Sequence, residues 1–207
     1  MKKFNILIVA IIPLLIILLG FRLLVFDYNF YDKEFKKNNI YDNFSENLVR
    51  AEVNNLFNYF TNDQELETDF FNEIEKIHLS DVKNLINSVI NLLMLLVIIV
   101  IGFFIYYFKA KKLKIFLNSI FLGSLLNLFF IIISLILVLL NFDFIFLSFH
   151  LNLFNNDYWL LSSNDNLINL FPQQFFYDAA IRIILYTLII SSILLFIAFI
   201  FKNRLTK

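Results

Sequence analysis

The chain has 207 residues, 60% of them hydrophobic, with 28 Phe, no Cys, and 17 basic against 17 acidic side chains. So apolar a composition excludes an ordinary water-soluble domain, which runs at roughly 45–50% apolar. The missing cysteine excludes disulfides, thiol nucleophiles and thiolate metal sites.

Four runs are long enough to cross about 30 Å of hydrocarbon, which takes roughly 20 apolar residues. The first, 4–26, follows Lys2 and Lys3. It is too long for the apolar core of a signal peptide and no small-residue cleavage site follows, so a retained helix is expected. Next comes a polar segment, 27–84, too short for an independent domain with its own core. Within it, "SENLVRAEVNNLFNYF" places Leu48, Ala51, Leu56, Tyr59 and Phe60 at roughly helical spacing behind Ser45, a candidate N-cap. "DFFNEIEKIHLSDVKNLI" then offers Asp69 as a cap and runs as a helix into the second span, 85–108. On that helix Glu75, His78 and Asp81 are three apart and share one face.

A tight turn holding Lys109, Lys111, Lys112 and Lys114 leads to the third span, 115–142, which has no charge. The segment 143–178 reads as an irregular loop carrying His150 and Trp159, then a short amphipathic piece, "DNLINLF", ended by Pro172. Trp159, Phe171, Phe175, Phe176 and Tyr177 suit the interfacial zone, where aromatic rings are favoured. The last span, 179–201, precedes Lys202, Arg204 and Lys207. The expected fold is therefore all-α: one integral membrane domain, 1–207, of four transmembrane helices with a small extracytoplasmic cap from 27–84 and 143–178.

Charge sets the orientation. Both chain ends and the Lys turn are basic and hold no acidic residue, whereas every Asp and Glu lies in or beside the other two connections. Short basic loops stay on the cytoplasmic side. His78 and His150, the only two histidines, are then expected together at the outer interface, two acid–base groups at one membrane depth. A carboxylate one turn away, Glu75 or Asp81, can orient an imidazole. The bland alternatives are two interfacial histidines and a solvated helix start whose acids complement the helix dipole. Glycine-rich phosphate loops, nucleotide fingerprints and a Gly-x-Ser-x-Gly elbow are absent. A metal site from two His and a carboxylate has no supporting spacing, and no span carries the central charge of a transport pathway.

"EIEKIHLSDVK" (73–83), "FHLNLFNNDYW" (149–159) and "DNLINLFPQQFF" (165–176) resemble, in order and position, three motifs of the lipoprotein intramolecular transacylases, small four-span bacterial membrane proteins. The resemblance covers essentially the whole chain. It departs after Trp159, where "LLSSND" stands in place of an Asp-Pro-containing turn and is about one residue longer.

The resemblance implies an acyltransferase of the bacterial plasma membrane, with both termini cytoplasmic and the active site outside. It moves the sn-2 acyl chain of an S-diacylglyceryl N-terminal cysteine to the free α-amino group of the same residue, giving the lyso-form lipoprotein. His78 and His150 are carried over as the catalytic pair, with Glu75 and Asp81 in support. Phe149, Phe154, Trp159, Phe175 and Tyr177 are expected to bind the substrate. Ester to amide is downhill, so no cofactor and no metal are expected. The implied partners are diacylglyceryl lipoproteins and membrane lipids, with no nucleotide or nucleic acid, for a monomeric enzyme. The reading from another class is a non-catalytic polytopic accessory protein whose aromatic cap docks a partner.

Overall fold

In lipid every backbone N–H and C=O must find a partner inside the protein, so a long apolar segment becomes a helix. The computed structural model describes residues 2–62 and 64–204. In chain order its helices are α1 (Lys2–Val25), α2 (Tyr28–Lys37), α3 (Ile40–Asn43), α4 (Glu46–Thr61), α5 (Glu73–Lys109), α6 (Leu113–Leu153), α7 (Asn166–Leu170) and α8 (Gln173–Arg204), with no strand among the described residues. α1, α5, α6 and α8 are long and apolar enough to cross a membrane. The chain is an all-α, multi-pass membrane protein, as its composition requires. Of the basic residues used to orient it, Lys207 lies outside the described residues.

Contacts divide the chain into two compact units, one of residues 1–23, 90–139 and 181–207, the other of 24–89 and 140–180. The first unit holds the most apolar parts of the long helices. Its buried cluster is Ile8, Ile12, Ile16, Tyr107 and Phe116. Helices approach closely where a side chain is missing: a Cβ on Gly123 would lie 2.7 Å from Cβ of Ile12, and one on Gly20 2.8 Å from Cγ2 of Thr187. Small residues at helix contacts are the usual membrane solution, because apolar packing against lipid supplies no net drive for association. Asn127 adds a buried hydrogen bond from Nδ2 to Oγ of Ser191, 2.7 Å, joining α6 to α8.

The second unit contains α2, α3, α4 and α7 with the adjoining ends of the long helices. Ser45 caps α4 as expected, its hydroxyl accepting the Leu48 N–H at 3.3 Å. The buried stripe of α4 is Val49, Val53, Leu56, Tyr59 and Phe60, whereas Leu48 and Ala51 are exposed. The turn from α2 to α3 passes through Asn39 in the left-handed region (φ 56°), a conformation Asn tolerates better than most residues. Phe30, Tyr31, Phe35, Phe57, Phe171 and Phe175 pack ring on ring between α2, α4, α7 and α8.

Three boundaries differ from expectation. α5 begins at Glu73, with Asn72 rather than Asp69 at its start. α8 begins just after Pro172, a residue whose fixed φ suits a helix entrance. Most consequential, residues 143–153 are helical rather than loop. α6 breaks at Asn141 (φ −159°, ψ 74°) and restarts at once. The cause is local: Oδ1 of Asn141 accepts the Phe144 N–H at 3.1 Å, the geometry of an N-cap. Asp143 adds a carboxylate to the new first turn, which the helix dipole favours. The restarted helix brings His150 to its last turn.

Asn141→Ala is expected to lower stability by about 0.5–2 kcal/mol, read as a lower thermal midpoint in detergent, while Asn141→Asp keeps the cap and most of the stability.

Candidate active site

The site lies wholly in the second unit and starts from the entrance to α5. Oδ1 of Asn72 accepts the Glu75 N–H at 3.0 Å, and the Asn72 N–H donates to Oε2 of Glu75 at 2.6 Å. This reciprocal pair is a capping box. The other carboxylate oxygen, Oε1, accepts the N–H of Leu167 at 2.6 Å, in the first turn of α7. Glu75 is 1% exposed, yet each oxygen is occupied. Neighbouring bonds repeat the connection: Asn72 Nδ2 to Asp165 Oδ1 at 2.9 Å, and Asn166 Nδ2 to the Phe70 carbonyl.

One turn along α5 from Glu75 stands His78, and the end of α6 brings His150 to it. Both are buried. Their ring centroids are 6.2 Å apart and the planes are inclined by 31°. Phe154 touches both, at 5.0 Å from His78 and 5.6 Å from His150. Trp159 lies along His150 at 5.0 Å and 32°, and Phe146 meets the same imidazole at 4.5 Å. Phe149 is 5.4 Å from His150 and partly open to the surroundings. The pair expected from topology thus converges, walled by aromatic rings.

The two imidazoles are held differently. Nδ1 of His150 is 2.7 Å from the Phe146 carbonyl, one helical turn back. A carbonyl only accepts, so the proton sits on Nδ1 and Nε2 keeps its lone pair. Nδ1 of His78 is buried without a hydrogen-bond partner.

The carboxylates expected to support His78 also bond to other groups. Glu75 holds the backbone of α5 and α7, as described. Asp81 accepts from Nδ2 of Asn156 at 2.9 Å, tying α5 to the loop after α6. Of the five rings expected to bind substrate, Phe149, Phe154 and Trp159 surround the histidines. Phe175 belongs to the ring cluster of α2 and α7 and connects to His150 through Phe176 and Phe146. Tyr177 meets Phe142 edge-on at 5.3 Å. Sequence reading missed Asn72, Phe146, Asn156 and Leu167. Asn72 was marked by its spacing to Glu75, and Phe146 is one turn from His150 once α6 is known to continue. Among the described residues no group of three or more His, Asp or Glu side chains is placed to hold a metal ion.

A model of the family described as lipoprotein intramolecular transacylase Lit matches residues 6–176. A solved structure of the membrane-integral transacylase Lit from Bacillus cereus is similar over 99% of this chain and 98% of its own, with a TM-score of 0.84 and 26% identity. Two further structures of that protein, with a histidine replaced by arginine or by alanine, have TM-scores of 0.82 and 0.80 at 25% identity. They cover 100% and 99% of this chain, and 94% and 93% of theirs. No curated protein sequence matches.

Glu75→Gln replaces one acceptor oxygen with an amide that faces a backbone N–H. The expected loss is about 1.5–3 kcal/mol, the scale of a hydrogen bond to a charged group. It is read as a fall in the detergent thermal midpoint, and Glu75→Ala falls further.

Proposed function

Because the chain belongs to the lipoprotein intramolecular transacylase family, it is a membrane acyltransferase acting within one lipidated polypeptide, and we propose that His78 and His150 are its proton-transfer groups. The reaction moves the sn-2 acyl chain of an N-terminal S-diacylglyceryl cysteine to that cysteine's own α-amino group, leaving the lyso-form lipoprotein. The observation that carries the assignment is the meeting of two buried imidazoles from separate helices, with ring centroids 6.2 Å apart and aromatic rings packed against both. One reacting carbonyl, with its attacking nitrogen and departing oxygen, fits between two rings at that spacing if each ring makes a hydrogen bond of about 2.7–3.2 Å.

The hydrogen bonding divides the labour. His150, with Nδ1 committed to the Phe146 carbonyl, offers Nε2 as the base. It takes the proton of the amine as the N–C bond forms at the ester carbon, and the resulting imidazolium keeps its bond to Phe146. For His78 the bare side is the buried Nδ1. A buried lone pair without a partner is tolerated better than a buried N–H without one, so the proton of His78 sits on Nε2. From there it donates to the developing oxyanion. Collapse then breaks the bond to the sn-2 glyceryl oxygen, which takes the proton held by His150. One N–C bond forms, one C–O bond breaks, and one proton passes from nitrogen to oxygen. The balance calls for no water, nucleotide or metal.

Holding amine and ester of one substrate in contact is an orientation problem, for which effective molarity supplies up to about 7–11 kcal/mol. Phe149, Phe154 and Trp159 form the inner wall of that mould, and Phe175 and Tyr177 back it through Phe176 and Phe142. With the Lys-rich segments on the cytoplasmic side, both histidines lie at the outer membrane surface. Donor and acceptor belong to one substrate molecule, so a single copy of the enzyme suffices.

The test is expression in bacteria that make only diacylglyceryl lipoproteins, with mass spectrometry of N-terminal lipopeptides. Wild type is expected to yield the lyso form. His78→Ala and His150→Ala are each expected to slow its formation by about 10²–10⁴-fold, the usual worth of a general acid or base. An undiminished acyl shift in either variant removes that histidine from the chemistry.

A further inference from the structure

We propose that Asn156 is a positioning residue of the transacylation: its bridge to Asp81 holds the turn that lays Trp159 on the imidazole of His150. The inference rests on His150 being a catalytic group. α6 ends at Leu153, and the chain then turns sharply: the Phe154 N–H returns to the His150 carbonyl at 3.0 Å, and the Leu160 N–H to the Asp157 carbonyl at 3.0 Å. Asn155, Asp157, Tyr158 and Leu160 are exposed, so within 154–160 the turn is held inward by Phe154, Asn156 and Trp159.

Asn156 engages both ends of its amide. Nδ2 donates to Oδ2 of Asp81 at 2.9 Å, while Oδ1 accepts the Tyr158 N–H at 3.1 Å. The first bond fixes the turn to α5, three residues beyond His78. The second sets the backbone that aims Trp159, whose ring lies 5.0 Å from the His150 imidazole, inclined by 32°. No other side chain of this size does both tasks. An Asp at 156 would turn an oxygen toward the Asp81 carboxylate, and a Leu would supply neither donor nor acceptor. Without the bridge the indole leaves the imidazole, the base loses a wall that fixes its plane, and water reaches Nε2.

Trp159 is the only tryptophan of the chain, so its fluorescence reads this turn directly. The variants are Asn156→Asp, Asp81→Asn and the double swap, which rebuilds the bond with donor and acceptor exchanged. The measurements are the acyl-transfer rate on a synthetic S-diacylglyceryl-cysteinyl lipopeptide in detergent, and Trp emission followed through a pH titration. In wild type, protonation of the adjoining imidazole is expected to quench the indole. Asn156→Asp is expected to slow transfer at least tenfold, to shift emission to the red and to remove that quenching step. The double swap is expected to recover most of both readouts, and it keeps the question answerable if Asn156→Asp alone folds poorly. Wild-type rate and emission in Asn156→Asp, or a double swap no better than the single variants, would overturn the proposal. His150→Ala, run alongside, separates the two readings: if it stays active the catalytic assignment fails, whereas an inactive His150→Ala beside a fully active Asn156→Asp sinks only the positioning role.

Discussion

The buried carboxylate of Glu75 is the interaction on which the site depends. Removing a charged group from water is costly unless every lone pair finds a donor. Here one oxygen takes the Asn72 N–H at the mouth of α5 and the other the Leu167 N–H at the mouth of α7. Both amides stand at helix starts, where N–H groups have no partner inside their own helix. A single side chain therefore satisfies the starts of two helices and fixes the position of one against the other. His78 follows one turn later on α5, so its approach to His150 is set by that junction.

His150 arrives by a different device. The helix that carries it stops and restarts at Asn141, and the restart supplies the last three turns of α6. Because the imidazole bonds to the carbonyl of its own helix one turn back, its tautomer is written into the helix rather than borrowed from a neighbour. His78 has no such partner for Nδ1. Two chemically identical side chains are thus made unequal by local backbone. In the proposed reaction that inequality lets one imidazole accept a proton while the other donates a hydrogen bond. Phe146, Phe154 and Trp159 pack against the imidazoles, and in the proposed reaction apolar walls of this kind suit aminolysis over hydrolysis of the same bond.

Much of this was legible in the sequence. Unbroken apolar runs have one physical solution in lipid, so the four spans followed from length alone. Ser45 announced α4 because a side-chain acceptor before an apolar periodic run has few other uses. Residues 143–153 were obscured because "FDFIFLSFHLNL" is apolar on every face, which leaves no periodicity to separate helix from loop; only the Asn141–Phe142–Asp143 start betrayed it. Spacing places Glu75 on the face of His78 and three residues from Asn72, its local partner; its other bond, to the Leu167 amide, is a long-range contact that no local pattern encodes. Phe175 and Tyr177 fell near the histidines in the motif order, yet the face of α8 on which each lies sends them to other rings, and a loop reading gave no face to consult.

If the two imidazoles act on one reacting group, a double-mutant cycle on acyl-transfer rates shows it. Groups that work as a unit are strongly non-additive. With His78→Ala, His150→Ala and the double variant assayed on one synthetic diacylglyceryl lipopeptide, the double is expected to be no slower than the slower single variant. Losses that multiply, so that the double variant falls by the product of the two single factors, would mean that the histidines act independently and would contradict a shared site.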